Sequence, residues 1–407
     1  MLKKSTQRIL SIYFAGMILL HGFVFVQSWA NVAIGMPDFT IFYSAGHILR
    51  SGQASNLYDD NLQQRMQTSL NPAGVRKRGS ILPYNHPAFE AVLFAPLASF
   101  SYLTAYRVWL LTNLTLLMGI PFLLRKQLPI LGTAPLGFWF LGMFAYFPIF
   151  MALLQGQDSI LLLFTYCCAY AALYEKKQLR MGGWLGFGLF KFHLILPFIS
   201  SMVWLWSRKL LTGFIAVAAS AIAVGIWVCG IRGTLRYPHF IWAAEHNKSY
   251  MWNGGFYNTA NLHGLIGVFL PMSQYWLFRY ILVVSSVLVL VAASMVWRKT
   301  NSAGQPDGPL AFAVALIATV LVSYHIFVYD WSILLLAIVL LVESLLSRDS
   351  LIQKVRTPVC MCLATLFFSP IYMVLILRYQ RMELMASVLL FLFLTLLVGV
   401  ARSGKLI

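Results

Sequence analysis

The sequence MPDFTIFY occupies residues 36–43, shortly after the first long apolar run of the chain. That run, residues 9–30, follows a basic N-terminal segment, which predicts a membrane span that starts in the cytoplasm. Asp38 is therefore expected just outside the bilayer, at the exit of a span and among aromatic residues. We expect the other spans to build a lipid-facing cavity around this carboxylate.

The composition of the 407-residue chain, which is 60% hydrophobic and only 10% charged, excludes the soluble globular classes. Apolar runs of about 17–25 residues recur along its whole length, which is typical of a polytopic helical membrane protein. A β-barrel would show short alternating segments instead. The pattern predicts an all-α transmembrane fold with about twelve crossings and both termini inside.

The net charge of +18 raises the alternative of a nucleic-acid partner. The basic residues, however, lie in short clusters between apolar runs, which is the positive-inside pattern of membrane proteins. Eight of the twelve acids then fall on the external side: Asp38, Asp59, Asp60, Glu90, Asp158, Glu245, Asp330 and Glu383. We therefore expect membrane lipids as partners, no nucleic acid, and an external face that carries the chemistry.

The five cysteines and the N-terminal segment have simple explanations. All the cysteines fall within predicted spans, where they indicate packing rather than a disulfide framework or a metal site. Residues 1–30 resemble a signal peptide, but they lack a convincing small-x-small cleavage site and their apolar run is too long. We predict that this segment is retained as the first span. The sequence assigns no metal ligands and no cofactor, and it leaves the need for a metal open.

Two long polar segments interrupt the apolar runs. Residues 31–100 form an external loop whose apolar pieces are too short to cross a bilayer, so we expect interfacial helices there. Residues 231–274 form a second external loop. Residues 181–206 must leave the cytoplasm and return, which predicts two short crossings or a re-entrant hairpin turning near Lys191. We expect one membrane domain, residues 1–407, with further spans at 207–407.

Several ionisable residues lie at the external ends of the predicted spans, and each also has a structural explanation. Asp38 suits a helix cap, and Tyr43 suits an interfacial anchor. Lys191 and His193 interrupt an apolar run, where long cationic side chains can snorkel to the interface. Ionisable groups at membrane depth are nevertheless functional candidates by default. Asp330 ends another span at the same external level and would suit a cation partner.

Taken in order, these residues resemble the integral-membrane glycosyltransferases of the GT-C superfamily, and specifically glycosyltransferase family 87, the polyprenyl-phosphate-mannose-type mannosyltransferases. The resemblance covers roughly residues 8–350 and implies a GT-C-like catalytic module at residues 8–206. It departs from the family at His86-Pro87, where paired prolines are usual. It rests on the following motifs: Asp38 with Tyr43, Gly52 with Leu57-Tyr58-Asp59, Tyr84 to Pro87 with Pro96-Leu97, Gly156-Gln157-Asp158, Lys191, and His325 to Tyr329-Asp330.

The resemblance implies a hexosyltransferase that moves a sugar, with mannose favoured, from a polyprenyl-phosphate donor to a hydroxyl of a lipid-linked or cell-envelope glycan. It also implies that Asp38 is the catalytic base. One carboxylate suffices because a lipid phosphate is a good leaving group, so no second acid is needed to protonate the departing oxygen. Asp59, Asp60 and Asp330 are rivals for this role.

The remaining candidate residues are assigned to substrate binding. Lys191, His193 or the loop arginines are expected to supply positive charge to the leaving phosphate. The full set of predicted substrate-binding residues is Tyr43, Tyr58, His86, Gln157, Lys191, His193, His325, Tyr329 and Asp330.

Two other functions remain open from the sequence. A lipid-linked sugar flippase or other transporter would place its polar groups at mid-membrane and would show weak symmetry between its halves, which we do not find. An O-antigen ligase or polymerase would depend on a large late external loop rather than on an acid after the first span. We expect a multi-pass protein of a bacterial plasma membrane with its active site on the external face.

Overall fold

The structure is a computed structural model that describes residues 4–245, 255–302, 308–347 and 351–402. Within these ranges it is 83% helical and contains no strand, which confirms the predicted all-α class. The first nine helices are α1 Lys4–Ala33, α2 Phe39–Arg50, α3 Asp60–Leu70, α4 Pro72–Arg78, α5 Ala88–Phe94, α6 Tyr102–Leu124, α7 Leu136–Ala145, α8 Phe147–Gln155 and α9 Ser159–Tyr174.

Eleven further helices follow in the described ranges, and two of them form a central pair. They are α10 Gln178–Phe187, α11 Phe192–Ser201, α12 Arg208–Glu245, α13 Phe256–Asn258, α14 Leu262–Gly267, α15 Tyr275–Ser302, α16 Gly308–Val322, α17 Leu334–Leu346, α18 Arg356–Phe367, α19 Ser369–Met373 and α20 Leu384–Arg402. The central pair is α16 and α17, which are apolar on all sides and almost wholly buried, as expected of helices at the core of a large membrane protein.

The described residues include seven helical segments that are long and apolar enough to cross a membrane, or up to nine if each of two bent pairs is one span. The bends are 70° between α7 and α8 and 57° between the helices on either side of Phe368. Pro148 and Pro370 lie in the first turn after each bend, where the missing N–H costs no helical hydrogen bond. The chain is a multi-pass membrane protein, but the predicted count of about twelve crossings is not confirmed.

Residues 178–201 form a hairpin with Lys191 near its apex. Ser207 Oγ donates to Gln178 Oε1 over 2.7 Å, so the chain returns to the end from which it left. A straight helix over residues 178–201 would extend about 36 Å, which the next six residues, spanning at most about 21 Å, could not retrace. The two helices α10 and α11 are joined by a 3₁₀ turn at Gly188–Lys191. This agrees with the predicted turn near Lys191.

Residues 31–100, the predicted first external loop, contain the expected short helices, although α2 is buried rather than laid along an interface. Nine of its twelve residues are buried. At Gly46 a Cβ atom would lie only 2.5 Å from the carbonyl oxygen of Phe94, so glycine lets α2 and α5 meet backbone to backbone. Asp59 caps α3 by accepting the N–H of Leu62 over 2.8 Å. The loop is thus a packed layer over the ends of the spans.

The predicted second external loop begins as a helix, and its position relative to the membrane stays a prediction. α12 bends at Gly230, which has φ 69° and ψ 167°, and continues as helix to Glu245. Ile231 and Leu235 are exposed apolar residues one turn apart, and Arg232 and Arg236 alternate with them, as in a helix at a membrane interface. Residues 246–254 of the predicted loop lie outside the described residues.

A buried acid closes the opposite end of the molecule. Glu343 in α17 accepts the backbone N–H groups of Ile130 and Leu131 at 2.8 and 2.7 Å. These two N–H groups belong to the connection between α6 and α7, where no helical carbonyl is available to them. Glu343 therefore has a structural role far from the acids of the external loop.

An apolar cavity of about 730 Å³ lies between α1, α7, α17 and α18. Its lining includes Tyr13, Phe138, Leu335 and Leu363, and it contains none of the charged residues discussed below. The cavity can hold hydrocarbon, and Arg356 is the charged residue of its lining.

Candidate active site

Asp38 lies between α1 and α2 and remains partly exposed. Its side chain makes no cap hydrogen bond to α2, so the capping explanation does not apply. Gln157 Nε2 donates to Oδ2 over 2.8 Å, and the Tyr329 hydroxyl also bonds to this carboxylate. Burial raises the pKa of Asp38, while the bonds from Gln157 and Tyr329 act to lower it. The carboxylate is thus oriented by two neutral donors.

The turn after α8 brings Gln157 to Asp38. Gly156 ends the helix in the left-handed region at φ 61°. A Cβ atom there would lie 2.8 Å from Phe39 Cβ, so glycine is required both by the backbone conformation and by the packing. Trp109 Nε1 donates to the carbonyl of Gly156 over 2.9 Å. After this turn, Gln157 contacts Asp38 and Asp158 contacts Lys191.

Lys191 lies in a buried network of ion pairs. Its Nζ atom is 2.8 Å from Asp158 Oδ1 and 2.5 Å from Asp330 Oδ1, and it also donates to Ser159 Oγ over 2.9 Å. Its side chain is only 3% exposed. The apex of the α10–α11 hairpin therefore brings one ammonium group between two carboxylates that lie far apart in sequence.

Asp330 is fully engaged by its neighbours. Besides Lys191, it accepts from Ser159 Oγ at 2.9 Å and from the backbone N–H of Phe327 at 3.0 Å. The residue is 2% exposed. Its two oxygens are thus occupied by donors, in contrast to those of Asp38.

His86 and Glu90 extend the charged cluster on the far side of Asp158. His86 Nδ1 is 2.7 Å from Glu90 Oε2 and 3.7 Å from Asp158 Oδ2. Burial lowers the pKa of His86 to about 4, and burial together with the neighbouring Asp158 raises the pKa of Glu90 well above its usual range. Burial acts to raise the pKa of Asp158, but Lys191, His86 and the hydrogen bond with Glu90 together outweigh it, so the pKa of this carboxyl lies below its ordinary value.

His193 and His325 face each other across the same region, with ring centroids 6.2 Å apart. Burial lowers the pKa of His325 to about 4. The Nε2 atom of His193 is buried and has no hydrogen-bond partner in the described chain. The two imidazoles are therefore near the carboxylates but do not neutralise them.

Tyr43 and Tyr58 stabilise the external loop. The Tyr43 hydroxyl donates to the carbonyl of Phe100 over 2.8 Å. The Tyr58 hydroxyl donates to the carbonyl of His86 over 2.9 Å. Both hydroxyls are bonded to backbone, and their predicted contact with substrate stays a prediction.

The sequence reasoning did not assign Glu90 to this site, and it included Arg78 only among the loop arginines. Arg78 Nη1 donates to the carbonyl of Gly35 over 2.5 Å and makes a longer contact of 3.4 Å with that of Met36, just before Asp38. Its Nη2 atom is buried and has no hydrogen-bond partner in the described chain. The available signal was the end of α4, where Gly79 adopts φ 74° and turns the basic run back towards α1.

The comparisons with known proteins give one match. The sequence model of glycosyltransferase family 87 matches residues 84–323, more than half of the chain. The matched region includes His86, Gln157, Lys191 and His193, and it ends before His325. No curated protein and no solved structure matches the chain.

Proposed function

The chain belongs to glycosyltransferase family 87, and we propose that it transfers a sugar, with mannose favoured, from a polyprenyl-phosphate donor to a hydroxyl of a lipid-linked or cell-envelope glycan. The membrane glycosyltransferase activity follows from the family. The donor, the sugar and the acceptor are our proposal. The observation that carries it is the partly exposed Asp38 carboxylate, held by neutral donors beside a cluster of buried, ion-paired charges.

The proposed reaction needs a single base. The acceptor oxygen forms a bond to the anomeric carbon while the bond from that carbon to the phosphate oxygen breaks. The phosphate leaves with the bonding electron pair, and the acceptor proton passes to Asp38. Because the phosphate departs as a stable anion, no acid has to protonate it.

Asp38 is preferred over its rivals because of what each carboxylate already does. Asp59 caps α3, and Asp60 lies in the first turn of the same helix. Asp330 is buried and bonded to Lys191. A carboxylate beside an ammonium is a weaker proton acceptor than one held by neutral donors. Asp38 is therefore the best candidate for the base.

The donor phosphate requires positive charge near Asp38. Our sequence prediction assigned this role to Lys191, His193 or the loop arginines. Lys191 is bonded to two carboxylates, so its charge is already balanced. We therefore propose that the unpaired Nη2 of Arg78 supplies the positive charge and that the imidazole of His193 donates a hydrogen bond to the phosphate. Gln157 Oε1, which is buried without a donor, is suited to accept a bond from a sugar hydroxyl.

The charged cluster also supports a single domain over residues 1–407. Asp38 and Lys191 belong to the predicted catalytic module at residues 8–206, whereas Asp330 comes from the further spans at 207–407. We propose that this face is external, in a bacterial plasma membrane. Single cysteines at Ser55 and Arg180, in a chain without other cysteines, should react with a membrane-impermeant label from opposite sides. Labelling from the same side contradicts the topology.

The activity is tested by incubating the purified protein with labelled polyprenyl-phosphate sugars and a membrane glycolipid extract. We expect labelled glycolipid together with free lipid phosphate, and the sugar that reacts identifies the donor. Movement of the labelled lipid across proteoliposomes without release of phosphate would instead indicate a flippase. Reaction only with diphosphate-linked oligosaccharides would indicate a ligase.

A further inference from the structure

We propose that His86, Glu90 and Asp158 form a divalent-cation site next to the proposed base. One ligand atom from each side chain lies within 4.8 Å of the others. His86 Nδ1 is 2.7 Å from Glu90 Oε2 and 3.7 Å from Asp158 Oδ2. Two ligand atoms that each lie about 2.0–2.2 Å from the same ion are roughly 3–3.6 Å apart. This separation falls between the two distances from His86 Nδ1.

The burial of Glu90 gives an independent reason for a ligand here. Its side chain is 1% exposed; His86 Nδ1 lies 2.7 Å from its Oε2 atom, while Oε1 is buried and has no hydrogen-bond donor in the described chain. Asp158 is likewise buried, with Lys191 at its Oδ1 atom and His86 3.7 Å from its Oδ2 atom. Two buried carboxylates in contact are costly unless a cation or a proton lies between them.

The ligand types indicate which ions fit. One imidazole nitrogen with two carboxylate oxygens suits Zn²⁺ or Mn²⁺, whereas Mg²⁺ and Ca²⁺ prefer sites made of oxygen alone. Asp158 is adjacent to Gln157, whose amide donates to Asp38. An ion here would fix this turn and so the direction of the Asp38 carboxylate. That last consequence rests on the proposed function, whereas the cation site itself does not.

The test uses the full-length protein in nanodiscs after dialysis against a chelator. Mn²⁺ alone is titrated while its electron paramagnetic resonance signal reports the free ion, and Zn²⁺ content is measured by mass spectrometry. We expect saturable binding of about one ion per chain and a rise in the thermal midpoint. Glu90→Gln should weaken Mn²⁺ binding at least tenfold. Glu175→Gln, at an exposed acid paired with Lys177, is the control and should bind like the wild type.

Absence of saturable binding by the wild-type protein would overturn the site and assign a proton to Glu90. Unchanged binding by a folded Glu90→Gln variant would overturn the ligand assignment. If that variant fails to fold, His86→Gln tests the same site at a less buried position. The readout counts ions and needs no sugar transfer, so failure of the proposed reaction and failure of the cation site are distinguishable.

Discussion

Asp38 and Asp330 both lie next to spans on the same side of the fold, but their surroundings differ. Asp330 is 2% exposed and bonded to the ammonium of Lys191. Asp38 is partly exposed, and its partners Gln157 and Tyr329 are neutral. The ion pair with Lys191 already engages the charge of Asp330, whereas Asp38 is held by neutral hydrogen-bond donors. The comparison separates a charge that holds spans together from a charge available for chemistry.

The largest expected effect comes from Asp38→Asn. The amide keeps the size of the side chain but cannot accept the acceptor's proton, so the rate of transfer should fall on the order of 10²–10⁴-fold. Donor binding and thermal stability should remain, because the lost interaction is needed only in the transition state. Single-turnover transfer and donor binding are measured on the same preparation. Near-normal transfer, with a folded but inactive Asp330→Asn variant, would reverse the comparison.

The second largest effect is a loss of stability when Lys191, the buried partner of Asp330, is replaced. Lys191→Met leaves Asp158 and Asp330 without their shared cation, and breaking such a buried pair typically costs about 3–5 kcal/mol of stability. Thermal unfolding in detergent measures the loss. Lys177→Met is the matched control, because the pair of Lys177 with Glu175 is exposed and should contribute nothing measurable. A stable Lys191→Met variant with weakened donor binding would instead show that Lys191 binds the donor phosphate.

A smaller effect is expected at Gly156, in the turn that places Gln157 beside Asp38 and Asp158 beside Lys191. Gly156→Ala forces an L-residue into the left-handed region and against Phe39, at a cost on the order of 1–3 kcal/mol. Gly52→Ala separates the two causes, because Gly52 has φ 74° but open space around it. We expect Gly156→Ala to lose more stability and also transfer rate, since it displaces Gln157. Equal losses in both variants would show that packing against Phe39 is unimportant.

The smallest effect is a shift in the pH profile. Asp38 must be ionised to act as a base, and burial raises its pKa, so kcat/KM should fall on acidification at a higher pH than for an ordinary aspartate. The bond from Gln157 opposes this rise. Gln157→Leu should therefore move the acidic limb further upward, while the alkaline side stays flat. An unmoved limb in a folded Gln157→Leu variant would remove Gln157 from the environment of the base.

The sequence predicted those features that depend on local pattern. Long apolar runs predicted the helical membrane class. The polar residue Lys191 within an apolar run predicted the hairpin, because such a break can be recognised from the sequence alone. The family resemblance was confirmed over residues 84–323.

The sequence could not predict the partners of these residues. Lys191 meets Asp330 across 139 residues, so nothing near Lys191 in the chain identified its counter-ion, and it was assigned to phosphate instead. The burial of Glu90 depends on α2 and α12 packing against α5, which hydrophobic periodicity does not specify. The helix after Gly230 was missed because its arginines were taken for a loop.

The position of Lys191 between Asp158 and Asp330 also determines when this site is complete during biosynthesis. Asp38, Asp158 and Lys191 have all left the ribosome long before Asp330, which follows Lys191 by 139 residues. Until the span Val328–Leu346 enters the bilayer, Lys191 has one carboxylate instead of two, and Asp38 lacks the hydroxyl of Tyr329. A nascent chain that stops before this span carries the base without the partners that orient it. We therefore expect transfer only after the span Val328–Leu346 has been inserted.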